Sequence, residues 1–184
     1  MGTMSEHTHS HHREHIHSHD TRPQRRALVI VASTRAAAGE YQDQTGPVLV
    51  EFFRRLGFEC PDATLVADAD METYMEDLLA SPTRKDLPRV IITTGGTGVT
   101  PDDRSVEAIT PHLDRELPGI AHAFFAKGVE STPMAVVSRA VAGTVGNSFV
   151  MALPGSKGAV KDGCAILEPI IGHLCDMLEG SHEH

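Results

Sequence analysis

Between Thr93 and Ser105 the chain reads TTGGTGVTPDDRS: three glycines, then two adjacent carboxylates and an arginine. Gly95, Gly96 and Gly98 permit positive φ, and such a turn lets backbone N–H groups approach an oxyanion closely. Asp102 and Asp103 stand beside it. Two carboxylates at a phosphate cradle repel the ligand unless a cation or a proton-transfer task intervenes. The carboxylates make physical sense there if Mg2+ bridges them to a nucleotide, because the ion reverses the local charge logic. An Asp at a helix start also serves as an N-cap; that role is assigned to Asp102, which leaves Asp103 to face the site. Asp68 lies just beyond the second expected strand. In a parallel sheet it opens onto the same edge as Asp103, although alone it reads as a solvated loop acid.

The turn is neither of two common phosphate loops. No Lys-Ser or Lys-Thr follows the glycines, and Pro101 breaks the G-x-G-x-x-G spacing. A glycine turn can also be plain chain reversal. Its position gives it meaning: it leaves the carboxyl end of a central strand, where open α/β sheets hold their ligands.

The surrounding pattern supplies that sheet. ALVIVAS (Ala27 to Ser33) and RVIITT (Arg89 to Thr94) are continuous apolar runs, as expected of strands buried on both faces. Between them, TGPVLVEFFRRLGF reads as a helix with Thr45 and Gly46 as cap candidates, Pro47 in the first turn and Gly57 as the stop. Val48, Leu49, Phe52 and Leu56 are its expected apolar face. ECPDATLVA is the expected second strand and DMETYMEDLLAS the next helix, starting after Asp70. Beyond the glycine turn, SVEAITPHL and ELPGIAHAFFAKG read as helices. Thr132 to Gly155 reads as two strands joined near Gly146-Asn147. The last helix, from Lys157, is kinked or split by Pro169. The sum is an α/β fold, a parallel sheet covered by helices on both sides.

The chain of 184 residues divides into a tail over 1–24 and one folded domain over 25–180. Met4 to Asp20 carries His7, His9, His11, His12, His15, His17 and His19 with almost no aliphatic residues, so it is expected to be disordered. Its imidazoles could capture Zn, Ni or Cu loosely; the preferred reading is a solvated tail, and the terminal SHEH is read alike. A net charge of −9 argues against nucleic acid and against an anionic membrane surface. Aromatics at 4%, with no Trp, leave few base-stacking platforms. Cys60, Cys164 and Cys175 have no zinc spacing and read as reduced core thiols. With no apolar run of membrane-spanning length (~20 residues) and no signal-peptide pattern, the expected compartment is the cytoplasm.

TTGGTG with Asp103, Ser105 and Glu107-Ala108, followed by DRELPGI (Asp114 to Ile120), SRAVAG (Ser138 to Gly143) and LPGS (Leu153 to Ser156), resembles the signature of the MogA/MoaB family of molybdenum cofactor biosynthesis, shared by the G domain of gephyrin. DQTG (Asp43 to Gly46) is similar to the family's helix entry, and LVAD (Leu65 to Asp68) to its second loop. The likeness runs from about Arg25 to Leu178. It implies a three-layer α/β/α fold with a mostly parallel central sheet, a homotrimer or a hexamer of two trimers, and Mg2+- and ATP-dependent adenylylation of molybdopterin. By motif, Thr94, Gly95, Gly96, Thr97, Gly98 and Ser105 would form the phosphate cradle. Ser138, Pro154, Gly155 and Ser156 would line the pocket. Asp68 and Asp103 would be the essential acids, holding Mg2+ or orienting pterin and nucleotide.

The chain departs from the family where Asp102 replaces the frequent Arg, Ala152 the usual Asn, Ser156-Lys157-Gly158 the usual Ser-Pro-Lys, and Ala67 the usual Pro. These departures keep a second expectation open, a MoaB-like paralogue that binds molybdopterin or another pterin without adenylyl transfer. Pterin carbinolamine dehydration ranks last. It wants paired histidines, and His112, His122 and His173 each fall on an expected helix. A scaffolding role like that of gephyrin calls for an assembly domain beyond this one.

Overall fold

The computed structural model describes residues 24–80 and 84–180. The His-rich stretch and the terminal SHEH, with the metal expectation attached to them, lie outside the described residues.

The core of the fold is a six-stranded sheet in the order β2-β1-β3-β6-β5-β4, built from β1 (Ala27–Ala32), β2 (Thr64–Val66), β3 (Val90–Thr94), β4 (Arg115–Glu116), β5 (Val141–Val145) and β6 (Ser148–Leu153). The first four in that order run parallel; β5 is antiparallel to both β6 and β4. Every residue of β3 and β6 is buried, as expected of strands covered on both faces. Alternate residues feed two cores. Val29, Ile92 and Met151 pack beneath α2 (Gly46–Arg55), α5 (Pro118–Val129), α6 (Lys157–Leu167) and α7 (Ile171–Leu178). Ile30, Ile91 and Val150 pack beneath α3 (Met71–Leu79) and α4 (Ser105–Ile109). A short α1 (Thr34–Ala37) leaves the end of β1. The three-layer α/β expectation is met.

Local details differ from the sequence reading. The cap of α2 comes from Asp43, whose Oδ1 accepts from Thr45 N and Oγ1 and whose Oδ2 accepts from Gly46 N at 2.9 Å; the Thr45 side chain caps nothing. The buried side chains of α2 are Leu49, Val50, Phe52 and Phe53, with Leu49, Phe52 and Phe53 at i, i+3, i+4, and Val48 points outward. Gly57, at φ +86, ends the helix as expected. The second strand shrinks to three residues with one bridge at Glu59, because Pro61 interrupts the ladder. Pro133–Val137 is a 3-10 turn rather than strand. The two-residue β4, exposed and without apolar alternation, left no trace in the pattern. Pro169 does split the last helix, between Leu167 and Ile171. Cys60 and Cys175 are buried, and burial pushes the Cys164 and Cys175 thiols up to about 11. No helix among the described residues is long and apolar enough to cross a membrane.

Candidate active site

The glycine turn begins where β3 ends. Gly95 and Gly96 both take left-handed backbone, at φ +100 and +64, which only glycine adopts without strain. Space demands them as well. A Cβ on Gly95 would fall 2.2 Å from the Ala32 carbonyl oxygen, one on Gly96 2.5 Å from Ser105 Oγ, and one on Gly98 2.6 Å from Asp103 Oδ2. Hydrogen bonds then tie the strand ends together. Gly95 N donates to Leu153 O at 2.9 Å and Thr94 Oγ1 to Pro154 O at 3.1 Å. Thr97 is buried, its hydroxyl 3.2 Å from Ser138 Oγ.

Along this carboxyl edge run three adjoining cavities. One, of about 380 Å3, is bounded by Gly95 to Gly98 and Asp103 on one side and by Ser138 and Pro154 to Ser156 on the other. The next, of about 330 Å3, takes in Thr100, Asp103, Arg104, Glu107 and Arg139. The third, of about 600 Å3, holds Thr34, Asp68, Glu72, Asp102 and Arg104. Asp103 belongs to the first two; Pro101 and Arg104 belong to the second and third.

Asp103 Oδ2 accepts from Thr100 N at 2.9 Å and from Thr100 Oγ1 at 2.6 Å. The Thr100 hydroxyl, helped by the backbone N–H groups of Thr100 and Gly98 and by the charge of Arg139, holds this carboxyl below the usual aspartate range against the opposing effect of burial. Asp103 is therefore ionised at neutral pH. The N-cap expected of Asp102 is not made: α4 starts at Ser105, Arg104 occupies the cap position, and no side chain caps it. Asp103 N instead donates to Thr100 O at 3.0 Å, closing a turn with Pro101 and Asp102 at its centre. Asp102 is used up as a turn residue and lines the Asp68 cavity.

Asp68 opens the 3-10 turn Asp68–Asp70 that leads into α3. Its Oδ2 accepts from Thr34 N at 2.9 Å and Thr34 Oγ1 at 2.8 Å. Both acids are thus oriented by a threonine, on one sheet edge but in adjoining cavities rather than a single one. Among the described residues no three His, Cys, Asp or Glu side chains are grouped to hold a metal by themselves. Thr94 and Ser105, read as part of the cradle, are fully buried beneath it. Ser105 N donates to Gly96 O at 3.0 Å, while its hydroxyl is buried without a partner among the described residues. Ser156 lines the first cavity, and its Oγ also caps α6 by accepting from Ala159 N.

Arg139 escaped the sequence reading. Its Nε donates to Gly98 O at 2.6 Å and its Nη2 to Asp103 O at 2.9 Å, while the guanidinium pairs with Glu107. Arg139 N also donates to Thr97 O at 2.9 Å. The only hint was its place beside Ser138 in SRAVAG. None of the three described histidines, His112, His122 and His173, lines these cavities.

Fold and site together define an open, mostly parallel α/β protein with a crevice of glycine backbone and carboxylates at its strand ends. Residues 28–173 match the family described as a probable molybdopterin binding domain, and the chain belongs to that family. It is 33% identical to the molybdenum cofactor biosynthesis bifunctional protein of Chlorobaculum tepidum over 84% of this chain and 49% of that protein, so it spans about half that relative's length. It is 36% identical to the molybdopterin adenylyltransferase of Pyrococcus furiosus over 79% of this chain and 86% of that one. In structure it is similar to the molybdopterin biosynthesis Mog protein from Mycobacterium ulcerans, with a TM-score of 0.77 at 34% identity, covering 86% of this chain and 99% of that one.

Proposed function

We propose that this protein acts in molybdenum cofactor biosynthesis and adenylylates molybdopterin with Mg-ATP. A phosphate oxygen of molybdopterin attacks the α-phosphorus of ATP. A new P–O–P linkage forms, the α–β bridge breaks, and pyrophosphate leaves. Such chemistry requires positioning and charge neutralisation more than covalent help. The Gly95 and Gly98 N–H groups are given to Leu153 O and to the Asp103 carboxylate, so the N–H groups of Gly96 and Thr97 cradle phosphate oxygens, and Ser138 with Pro154 to Ser156 closes the opposite wall. Asp103 and Asp68, the former ionised and each oriented by a threonine, are the residues that would hold Mg2+, which supplies charge neutralisation on the triphosphate.

The observation that carries this reading is the sharing of one cavity by a glycine-only turn and an ionised Asp103. Asp103→Asn, assayed by pyrophosphate release from purified molybdopterin and Mg-ATP, should lower turnover by about 100-fold. Unchanged turnover rules out the role given to Asp103. A second reading, pterin binding without adenylyl transfer, is favoured by the three carboxylates, Asp68, Glu72 and Asp102, that line the third cavity beside one cation, Arg104. Molybdopterin binding by a wild-type chain that releases no pyrophosphate would select it. Val99, Met134 and Val136, each more than 60% exposed, support a subunit contact of the homotrimer or hexamer; light scattering measures that mass.

A further inference from the structure

Arg104 stands where the Asp68 and Asp103 cavities join, and among the described residues it is the one cation that lines both. The other arginine at the second cavity, Arg139, is committed to the carbonyls of Gly98 and Asp103 and to Glu107. Arg104 is not committed in that way. Among the described residues its side chain bonds no carbonyl; Nε donates to Glu72 Oε1 at 2.6 Å and Nη2 donates to the same oxygen. Two donors on one oxygen are less than the parallel fork a guanidinium makes with a carboxylate or phosphate, and Nη1 has no partner among the described residues. Arg104 and Glu72 are 46% and 49% exposed, so water screens the pair and it exchanges readily.

Charge explains why the residue would be held this way. Asp68, Glu72 and Asp102 line the third cavity together with Arg104, and three carboxylates to one guanidinium refuse a bare anion. An anion arriving with Mg2+ brings its own compensation. Phosphate oxygens then offer Arg104 a bidentate partner that Glu72 does not provide.

We propose that Arg104 is a parked phosphate-binding residue: Glu72 holds it in the empty protein and yields it to the oxygens of a Mg2+-bound polyphosphate lying across Pro101. This rests on the polyphosphate reading of the crevice. It adds to that reading the residue that supplies positive charge where Asp102 does not.

The test is calorimetric titration of the full chain with Mg-ATP and, separately, with magnesium pyrophosphate. Arg104→Ala should weaken binding about tenfold, with Arg104→Lys recovering part of the loss. Glu72→Gln should tighten binding about threefold, since it removes the competing partner from the empty state. In the Arg104→Ala background, Glu72→Gln should do nothing. A pair with a merely structural role would move both single variants toward weaker binding, and that result overturns the proposal. So does unchanged affinity in Arg104→Ala. So does tightening by Glu72→Gln that persists without Arg104, which would be a field effect. A wild-type chain that takes up neither probe removes the polyphosphate reading and this inference with it.

Discussion

At the scale of single residues, the glycines of the turn are not equivalent, and their differences separate stability from function. A Cβ on Gly95 would meet backbone, the Ala32 carbonyl oxygen at 2.2 Å, at a φ of +100. Neither obstacle can yield without moving β1 or β3. Gly95→Ala should therefore cost on the order of 3 kcal/mol, measurable by urea unfolding. A Cβ on Gly98 meets only the end of a side chain, Asp103 Oδ2 at 2.6 Å, and that carboxylate can swing away. Its swing breaks the two bonds to Thr100 that orient it. Gly98→Ala should leave the urea midpoint nearly unchanged and lower turnover or Mg-ATP affinity by about tenfold. Equal losses of stability in the two variants would show that Gly98 is present for folding rather than for the crevice.

Among elements, the segment from Thr97 to Arg104 has little regular structure of its own and is held by its neighbours. The start of β5 reaches it through Arg139, and α4 joins through Glu107. Arg139→Ala uncaps the Gly98 and Asp103 carbonyls together. Amide hydrogen exchange across Thr97 to Asp103 should then accelerate about tenfold or more while β1, β3 and β6 keep their protection. An unchanged exchange pattern would remove Arg139 from the site's support. The sequence concealed this clamp because Arg139 lies 36 residues from Asp103, and no periodicity links an arginine before one strand to a turn after another. What the sequence did disclose was local. Unbroken apolar runs marked β1 and β3, the turn at Gly146-Asn147 marked β5 and β6, Gly57 and Pro169 marked helix ends, and the glycine turn with Asp103 lies along one cavity. Where two local roles competed, the reading erred: Asp102 was read as a cap, but Pro101 made it the middle of a turn. Likewise Asp43, three residues upstream of Gly46, displaced the threonine expected to cap α2.

The whole molecule is tied at the opposite end of the sheet by charge. Glu179, just past α7, receives Arg25 through both carboxylate oxygens, at 3.0 and 2.7 Å, and Arg89 at 3.0 Å. The last helix is thereby joined to the residues leading into β1 and β3. All three side chains are about four-fifths buried. The Arg25 guanidinium is the main cause that holds the Glu179 carboxyl below the usual glutamate range. Glu107 is lowered by Arg139, Asp103 by the Thr100 hydroxyl and Asp114 by the Gly146 N–H. A carboxyl with a depressed folded-state pKa contributes stability that is complete above its unfolded value, about 4 for these groups, and is lost as the pH falls through the folded value. The midpoint of thermal unfolding should accordingly stay level from pH 7 to about 5 and fall steeply below about 4. Glu179→Gln tests the source of that slope. It should destabilise the protein at pH 7 by about 2 kcal/mol, because two partly buried guanidinium groups lose their shared partner, and it should make the acid decline shallower than in wild type. Parallel curves for the two proteins, offset but equally steep, would place the acid sensitivity elsewhere among the carboxylates.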